Sequence, residues 1–176
     1  MSEPLEVVVG KLLRERKLTL TLAESCTGGL IGHRITDVPG SSEYFIGGIV
    51  AYSYEAKEKL LGVRHATLYD YGAVSAETAI EMARGVRRTL GADIGLSVTG
   101  IAGPGGGLLD KPVGLVYISL STRNFERTER FVWNKDRAGN KWDSSEAAMR
   151  MLREYLENLI ESSHVYTGTI DGNQTA

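Results

Sequence analysis

A serine, a lysine and a tyrosine stand where chemistry on a carbonyl group would use them. Ser25 lies in "TLAESCTGG" (21–29), where an alternating apolar segment meets a run of small residues that opens a helix-like stretch. A hydroxyl at such a corner can attack a carbonyl carbon, with N–H groups around Thr27, Gly28 and Gly29 receiving the oxyanion. The same residues also suit a plainer role, with Ser25 and Thr27 as helix caps. Cys26 is the weaker nucleophile. It needs a partner to lower its pKa, and no histidine follows nearby. A lone cysteine is ordinarily a small buried apolar residue.

A serine nucleophile needs a base. His33, His65 and His164 belong to no recognisable motif. "AYSYEAKEKLLG" (51–62) is the other source: Tyr52 ends a strand-like run, and Lys57 falls in the first turns of the next helix. A phenol and an amine then meet near one sheet edge. Free lysine, with a pKa of about 10.4, is a poor base at neutral pH, but burial can bring it toward roughly 7–8. The Ser-x-x-Lys spacing of penicillin-recognising enzymes is absent, since Gly28 stands three after Ser25. The plainer alternative is an exposed Lys57 paired with Glu58 and a core Tyr52. Glu24, beside the serine, can orient Lys57, cap backbone donors or pair at the surface.

"VTGIAGPGGG" (98–107) follows a strand, as phosphate loops do, but lacks the Gly-Lys-Ser/Thr of a Walker motif. It is not Gly-x-Gly-x-x-Gly either, because residue 108 is Leu. Its N–H groups can face an anion, or the run is simply a mobile loop. No cluster of His, Cys, Asp or Glu has metal-ligand spacing, so neither a catalytic metal nor a cofactor is expected.

The elements that must position these residues are legible. Residues 4–16 carry Leu5, Val8, Val9, Leu12 and Leu13 at helical spacing. Residues 18–24 alternate as a strand, and Thr27 is positioned to cap a helix over 28–36 that Pro39–Gly40 ends. Residues 46–53 read as a mostly buried strand, and Ser53 caps a short helix stopped at Gly62. Ser75 opens a helix to about Leu90, with Gly91 beyond its end. Strands follow at 93–100, 112–120 and 126–133, the last two as a hairpin, so one strand should run antiparallel to its neighbours. His65 falls in a loop. Residues 144–161 form a last helix. The expected fold is a three-layer α/β/α sandwich on a mixed, mainly parallel five-stranded sheet. Residues 1–161 form a single domain, and the polar residues 162–176 a loose tail.

Composition narrows the function. A net charge of −2 gives no global field for nucleic acid. One cysteine excludes an internal disulfide and suits a reducing compartment. No apolar run approaches the roughly 20 residues that span a bilayer, and the start lacks the basic-then-apolar order of a signal peptide. The expectation is a cytoplasmic protein with no membrane or nucleic-acid partner. The 21 glycines cluster at 28–29, 47–48 and 100–107, which points to close backbone approach at a few places and not to a flexible linker.

Together these segments resemble the CinA C-terminal domain family (competence/damage-inducible proteins), also called the nicotinamide-nucleotide amidase family. The resemblance covers about residues 4–161 and rests on "TLAESCTGGLIGHRITDVPGSSEYFIGGIVAYSYEAK", "YGAVSAETA", "SVTGIAGPGGG" and "KPVGLVYISL", in that order. It implies hydrolysis of the carboxamide of nicotinamide mononucleotide (NMN) to nicotinate mononucleotide and ammonia, within the pyridine nucleotide cycle, by a homodimer. It implies Ser25 as nucleophile, Lys57 as base and Tyr52 as its assistant. On the substrate side it implies Ser42, Thr99 and Arg137; the loop glycines Gly100 and Gly103 are the further candidates for the phosphate. Many members have Gly-Asp-Arg where this chain has Lys135-Asp136-Arg137. The long family version adds an N-terminal domain linked to pyrophosphatase activity, which these residues do not include, so no metal-dependent pyrophosphatase is expected. Two alternatives stand: a catalytically inactive binding domain of the same fold, or a hydrolase of another amide.

Overall fold

The computed structural model describes residues 3–158. Its core is a five-stranded sheet in the order β2-β1-β3-β4-β5. The strands are β1 (Leu20–Glu24), β2 (Phe45–Val50), β3 (Ile94–Gly100), β4 (Leu115–Ser121) and β5 (Glu126–Val132). β1 pairs in parallel with β2 and β3, whereas β4 is antiparallel to both its neighbours. β4 is the antiparallel strand that the expected hairpin requires. The helices are α1 (Leu5–Arg16), α2 (Leu30–Thr36), α3 (Tyr54–Leu61), α4 (His65–Asp70), α5 (Ala76–Leu90) and α6 (Arg137–Asn158). The expected tail at 162–176, the expected end of the last helix at 159–161 and His164 lie outside the described residues.

The sheet separates two apolar layers, giving the expected three-layer α/β/α architecture. On one face Val9 and Leu13 of α1, Ile31 and Ile35 of α2, and Ala148 and Leu152 of α6 pack on Leu20, Leu22 and Leu96. On the other, Leu61, Met82 and Val86 of α3 and α5 pack on Ala23 and Ala51. Each large aliphatic side chain so buried contributes roughly 1.5–3 kcal/mol. Burial on both faces is why β1 is buried at every position despite its alternating sequence. Thr21 is accommodated inside because its hydroxyl donates to the Ile94 carbonyl at 3.1 Å.

Capping follows the sequence at two helices. Ser53 and Ser75 accept from the amides of Ala56 and Thr78, and Gly62 and Gly91 close α3 and α5 in the left-handed region. Elsewhere the structure corrects the expectation. β2 is an edge strand with an open face, so Ile46 and Val50 are about half exposed. His65 is not in a loop but starts α4. The last helix begins at Arg137, seven residues before 144, because Asp136 receives the Gly139 amide at 2.8 Å and starts the helix ahead of Gly139.

α3 and α5 cross so closely that Gly85 has no room for a side chain: an added Cβ would lie 1.9 Å from the Leu61 carbonyl oxygen. Alanine normally favours a helix interior by about 1 kcal/mol over glycine. Here Gly85→Ala should instead destabilise by about 2 kcal/mol or more, since backbone must move to admit it. Gly105→Ala, whose Cβ would meet nothing within 4 Å, should be neutral. Urea denaturation of the two variants beside wild type measures both; equal stability of Gly85→Ala would refute the close crossing.

Candidate functional site

Parallel pairing brings the carboxyl ends of β1 and β2 side by side. Ser25 follows β1 and extends its pairing, donating its amide to the Val98 carbonyl at 2.9 Å. Ala51 and Tyr52 follow β2. The chain then turns at Ser53, and the first turns of α3 carry Lys57 back over the strand ends. Lys57 is 1% exposed. Its Nζ lies 3.0 Å from Ser25 Oγ, 2.8 Å from the Ala51 carbonyl oxygen and 3.2 Å from that of Tyr52. The two carbonyls can only accept. A neutral amine has two N–H groups for them and one lone pair, which then faces the serine hydroxyl. Protonated, it donates its third N–H to Oγ. Burial lowers the Lys57 pKa from 10.5 to about 8, so the free amine is accessible near neutral pH.

Cys26 is buried beside the serine, and desolvation pushes its thiol up to about 12. A thiol held protonated is a poor nucleophile. His33 and His65 are occupied elsewhere, by Asp37 at 3.4 Å and Glu58 at 2.8 Å.

Glu24 acts as a cap. Its buried carboxylate accepts from the amides of Gly29 (3.0 Å), Ile31 (3.1 Å) and Gly32 (2.8 Å). A carboxylate there answers both the unpaired amides and the helix dipole. The Thr27 side chain does not cap α2: Gly29 is its N-cap residue, and Thr27 Oγ1 is buried with no partner among the described residues. Gly28 and Gly29 make the turn with φ of +63° and +95°, which favours glycine. Their amides are committed, Gly28 to the Ser25 carbonyl at 3.1 Å and Gly29 to Glu24. The amides of Cys26 and Thr27 have no partner among the described residues. They are the donors left for an oxyanion, one step nearer the serine than expected.

The other expected residues are distributed unevenly. Arg137 reaches the site from the start of α6, donating to the Gly103 carbonyl at 2.7 Å and the Tyr52 phenol at 3.0 Å. Tyr52 therefore meets Lys57 through its carbonyl, while its phenol faces Arg137. Thr99, next to last in β3, donates its hydroxyl to the Ala73 carbonyl at 2.7 Å. At Gly100 an added Cβ would lie 2.7 Å from the Leu115 carbonyl oxygen. Ser42 is exposed in a short 3₁₀ turn (Ser41–Glu43) before β2, at the opposite end of that strand from Ser25. A single chain does not bring it to the serine.

A cleft of about 560 Å³ opens between the glycine-rich loop and the start of α6, lined by Ala102, Val113, Arg137 and Lys141 among others. Sequence reading missed Lys141, and Asn140, whose side chain donates to the Ala102 carbonyl at 3.1 Å and ties down the glycine-rich loop. The available signal was Asp136 three residues before Gly139, a helix start that places Arg137 and Lys141 one turn apart. Among the described residues no group of three or more His, Cys, Asp or Glu could hold a metal ion.

The sequence pattern of the CinA C-terminal domain matches residues 2–156. The chain belongs to the CinA C-terminal domain family. It is 57% identical over 150 residues to a putative competence-damage inducible protein of Halothermothrix orenii, and 53% over 151 residues to one of Moorella thermoacetica. Those matches cover 85% and 86% of this chain but 36% of each relative, so the chain spans little more than a third of their length. Among solved structures, the competence damage-inducible protein A of Klebsiella pneumoniae superposes with a TM-score of 0.85 at 34% identity, covering 88% of this chain and 96% of that one. The competence/damage inducible protein CihA of Agrobacterium tumefaciens gives 0.82 at 37%, covering 89% and 99%. Among the described residues of this CinA domain, no helix is long and apolar enough to cross a membrane.

The Lys57 environment has a pH signature. Because its folded pKa is below its ordinary value, the unfolded chain binds more protons between pH 8 and 10.5. Stability should therefore rise with pH through that window, by on the order of 2–3 kcal/mol in all. The comparison is denaturant unfolding of wild type against Lys57→Met at pH 7, 8, 9 and 10. A difference between the two proteins that stays constant with pH would show that Lys57 titrates normally.

Proposed function

We propose that this CinA domain is an amidohydrolase that converts NMN to nicotinate mononucleotide and ammonia, a step in pyridine nucleotide recycling in the cytoplasm. The observation that carries this reading is the Lys57 nitrogen, buried between two carbonyls with its remaining valence toward Ser25 Oγ. Ser25 gives its proton to Lys57 as Oγ bonds to the amide carbon, and the carbonyl electron pair becomes an oxyanion facing the Cys26 and Thr27 amides. Collapse of that intermediate breaks the C–N bond. The leaving nitrogen takes the proton from Lys57 and departs as ammonia. Water then attacks the acyl-enzyme, giving a proton to Lys57, which returns it to Ser25. Tyr52 assists by holding the Lys57 amine through its carbonyl and Arg137 through its phenol. No metal or cofactor takes part.

Ammonia release on addition of NMN, assayed beside nicotinamide and NAD, tests the activity. Ser25→Ala and Lys57→Arg should lose at least about a thousandfold in kcat, because arginine cannot give up its proton. Cys26→Ala should stay within a few fold. Wild-type kcat/KM should rise with pH through an apparent value near 8, following the free Lys57 amine. NMN binding without ammonia release would make the chain a ligand-binding domain, and release only from another amide would change the substrate.

The proposal includes a homodimer. Ser42 stands far from Ser25 within one chain, and β2 is an edge strand whose open face carries Ile46 and Val50. An unpaired apolar edge favours pairing with a second copy. Sedimentation should show a dimer for wild type and a shift toward monomer for Ile46→Lys; a monomeric wild type would remove this part of the reading.

A further inference from the structure

The ring of Tyr54 is fixed by contacts at both ends. The residue opens α3 directly after the turn that follows β2, and its phenol oxygen accepts the Ala73 amide at 3.2 Å. Ala73 lies in the loop that leads into α5, and its carbonyl takes the Thr99 hydroxyl near the end of β3. β1 runs between β2 and β3. A side chain rooted past β2 and held beside β3 therefore crosses the end of β1. The register of β1 with β3 places Ser25 next to Thr99. Ser25 is two residues after Ala23 and so points to the same face of the sheet. That is the face on which Tyr54 packs against a cluster holding Ala23, Ala51 and Leu61. Lys57 lies one turn into α3, and helical side chains point back toward the helix start. Its Nζ accordingly returns to the Ala51 and Tyr52 carbonyls, at the end of α3 where Tyr54 stands.

The outer side of the ring is backed by α4. Tyr69 meets Tyr54 edge to face with centroids 5.5 Å apart, and His65 stacks on Tyr69 at 4.1 Å. Glu81 of α5 holds α4 in turn, accepting from the Arg64 amide at 2.9 Å and the Thr67 hydroxyl at 2.8 Å. Tyr69 is exposed and Tyr54 half-buried, so the rings step inward from solvent. No carboxylate pairs with Lys57 among the described residues. Glu24 is bound to α2 amides, Glu58 to His65 and Glu81 to Arg64, while Arg137 and Lys141 of α6 are cations. Desolvation by burial is the main cause of the weakened hold of Lys57 on its proton, and the Cys26 thiol acts in the opposite sense. Whatever keeps water off this amine therefore sets its strength as a base.

We propose that Tyr54 is a positioning residue whose ring closes the α4 side of the Ser25–Lys57 site and keeps water from the amine. The cover rests on the geometry; its effect on turnover rests on the amidase reading above.

Removing the ring should let water reach the amine and favour its charged form. The test needs no substrate. The Lys57 Cε resonance, identified by its loss in Lys57→Arg, is followed by carbon NMR from about pH 6 to 11. The wild-type midpoint should lie near 8. In Tyr54→Ala it should rise by about one unit, whereas Tyr54→Phe keeps the ring and should stay within about 0.3. The rising limb of kcat/KM for ammonia release from NMN should move equally, so that Tyr54→Ala loses about tenfold at pH 7 and largely recovers by about pH 10. A purely structural loss would lower the rate equally at every pH. Thermal unfolding confirms that each variant is folded, with Tyr54→Ser replacing Tyr54→Ala if it is not. An unchanged Lys57 midpoint in the variant without the ring, a wild-type midpoint near 10.5, or an equal rise in Tyr54→Phe would overturn the proposal. If no protein releases ammonia, the amidase reading fails and the NMR titration still decides Tyr54.

Discussion

An amine nitrogen held between two backbone carbonyls and a serine hydroxyl is the constraint that the rest of this structure serves. Charged lysine is costly to bury, and Lys57 is almost fully buried. The cost is tolerated because Ala51 and Tyr52 present their carbonyls just beyond β2, as the chain leaves the sheet and turns toward α3. The same two carbonyls leave one direction open, and Ser25 occupies it. Burial lowers the lysine pKa and geometry aims the resulting lone pair, so one arrangement supplies both requirements of a base.

Around that nitrogen the polar groups are divided between architecture and chemistry. Glu24 is next in sequence to Ser25, yet its carboxylate turns away to close the start of α2. That cap holds the small-residue turn rigid and leaves the Cys26 and Thr27 amides unspent. The thiol beside the serine is packed and stays protonated. Of the four polar or sulfur-bearing side chains crowded at this corner, the Ser25 hydroxyl is the one that faces the Lys57 amine.

The cleft depends on contacts well away from the serine. Arg34 of α2 is buried and donates to Glu6 of α1 at 2.6 Å and to Ser145 of α6 at 2.7 Å, and its guanidinium sits over the Trp142 ring at 4.3 Å. This ties α6 to the helix that begins at the serine corner. Asn140 joins α6 to the glycine-rich loop through Ala102. Arg137 and Lys141 therefore approach the Ser25 turn on a helix anchored at two points.

The sequence by itself determined the layered α/β/α fold, the hairpin that reverses β4, the caps at Ser53 and Ser75, and the nearness of Ser25 and Lys57 to neighbouring strand ends. These follow from local periodicity, turn chemistry and the short connections of an α/β chain, all written in contiguous residues. Tertiary structure alone decided that β2 is an edge strand, since an apolar run reads the same whether one face or both are covered. It decided that Glu24 caps α2 and that Lys57 is buried, because desolvation depends on what packs overhead. It moved the start of α6 back to Arg137 past a glycine that reads as a break, and so exposed Lys141, 116 residues beyond Ser25 in the chain, as its neighbour across the turn. Ser42 is the reverse case, 17 residues after the serine and at the wrong end of a strand. Distance along the chain sets neither distance in space nor direction, and a reactive group is defined by both.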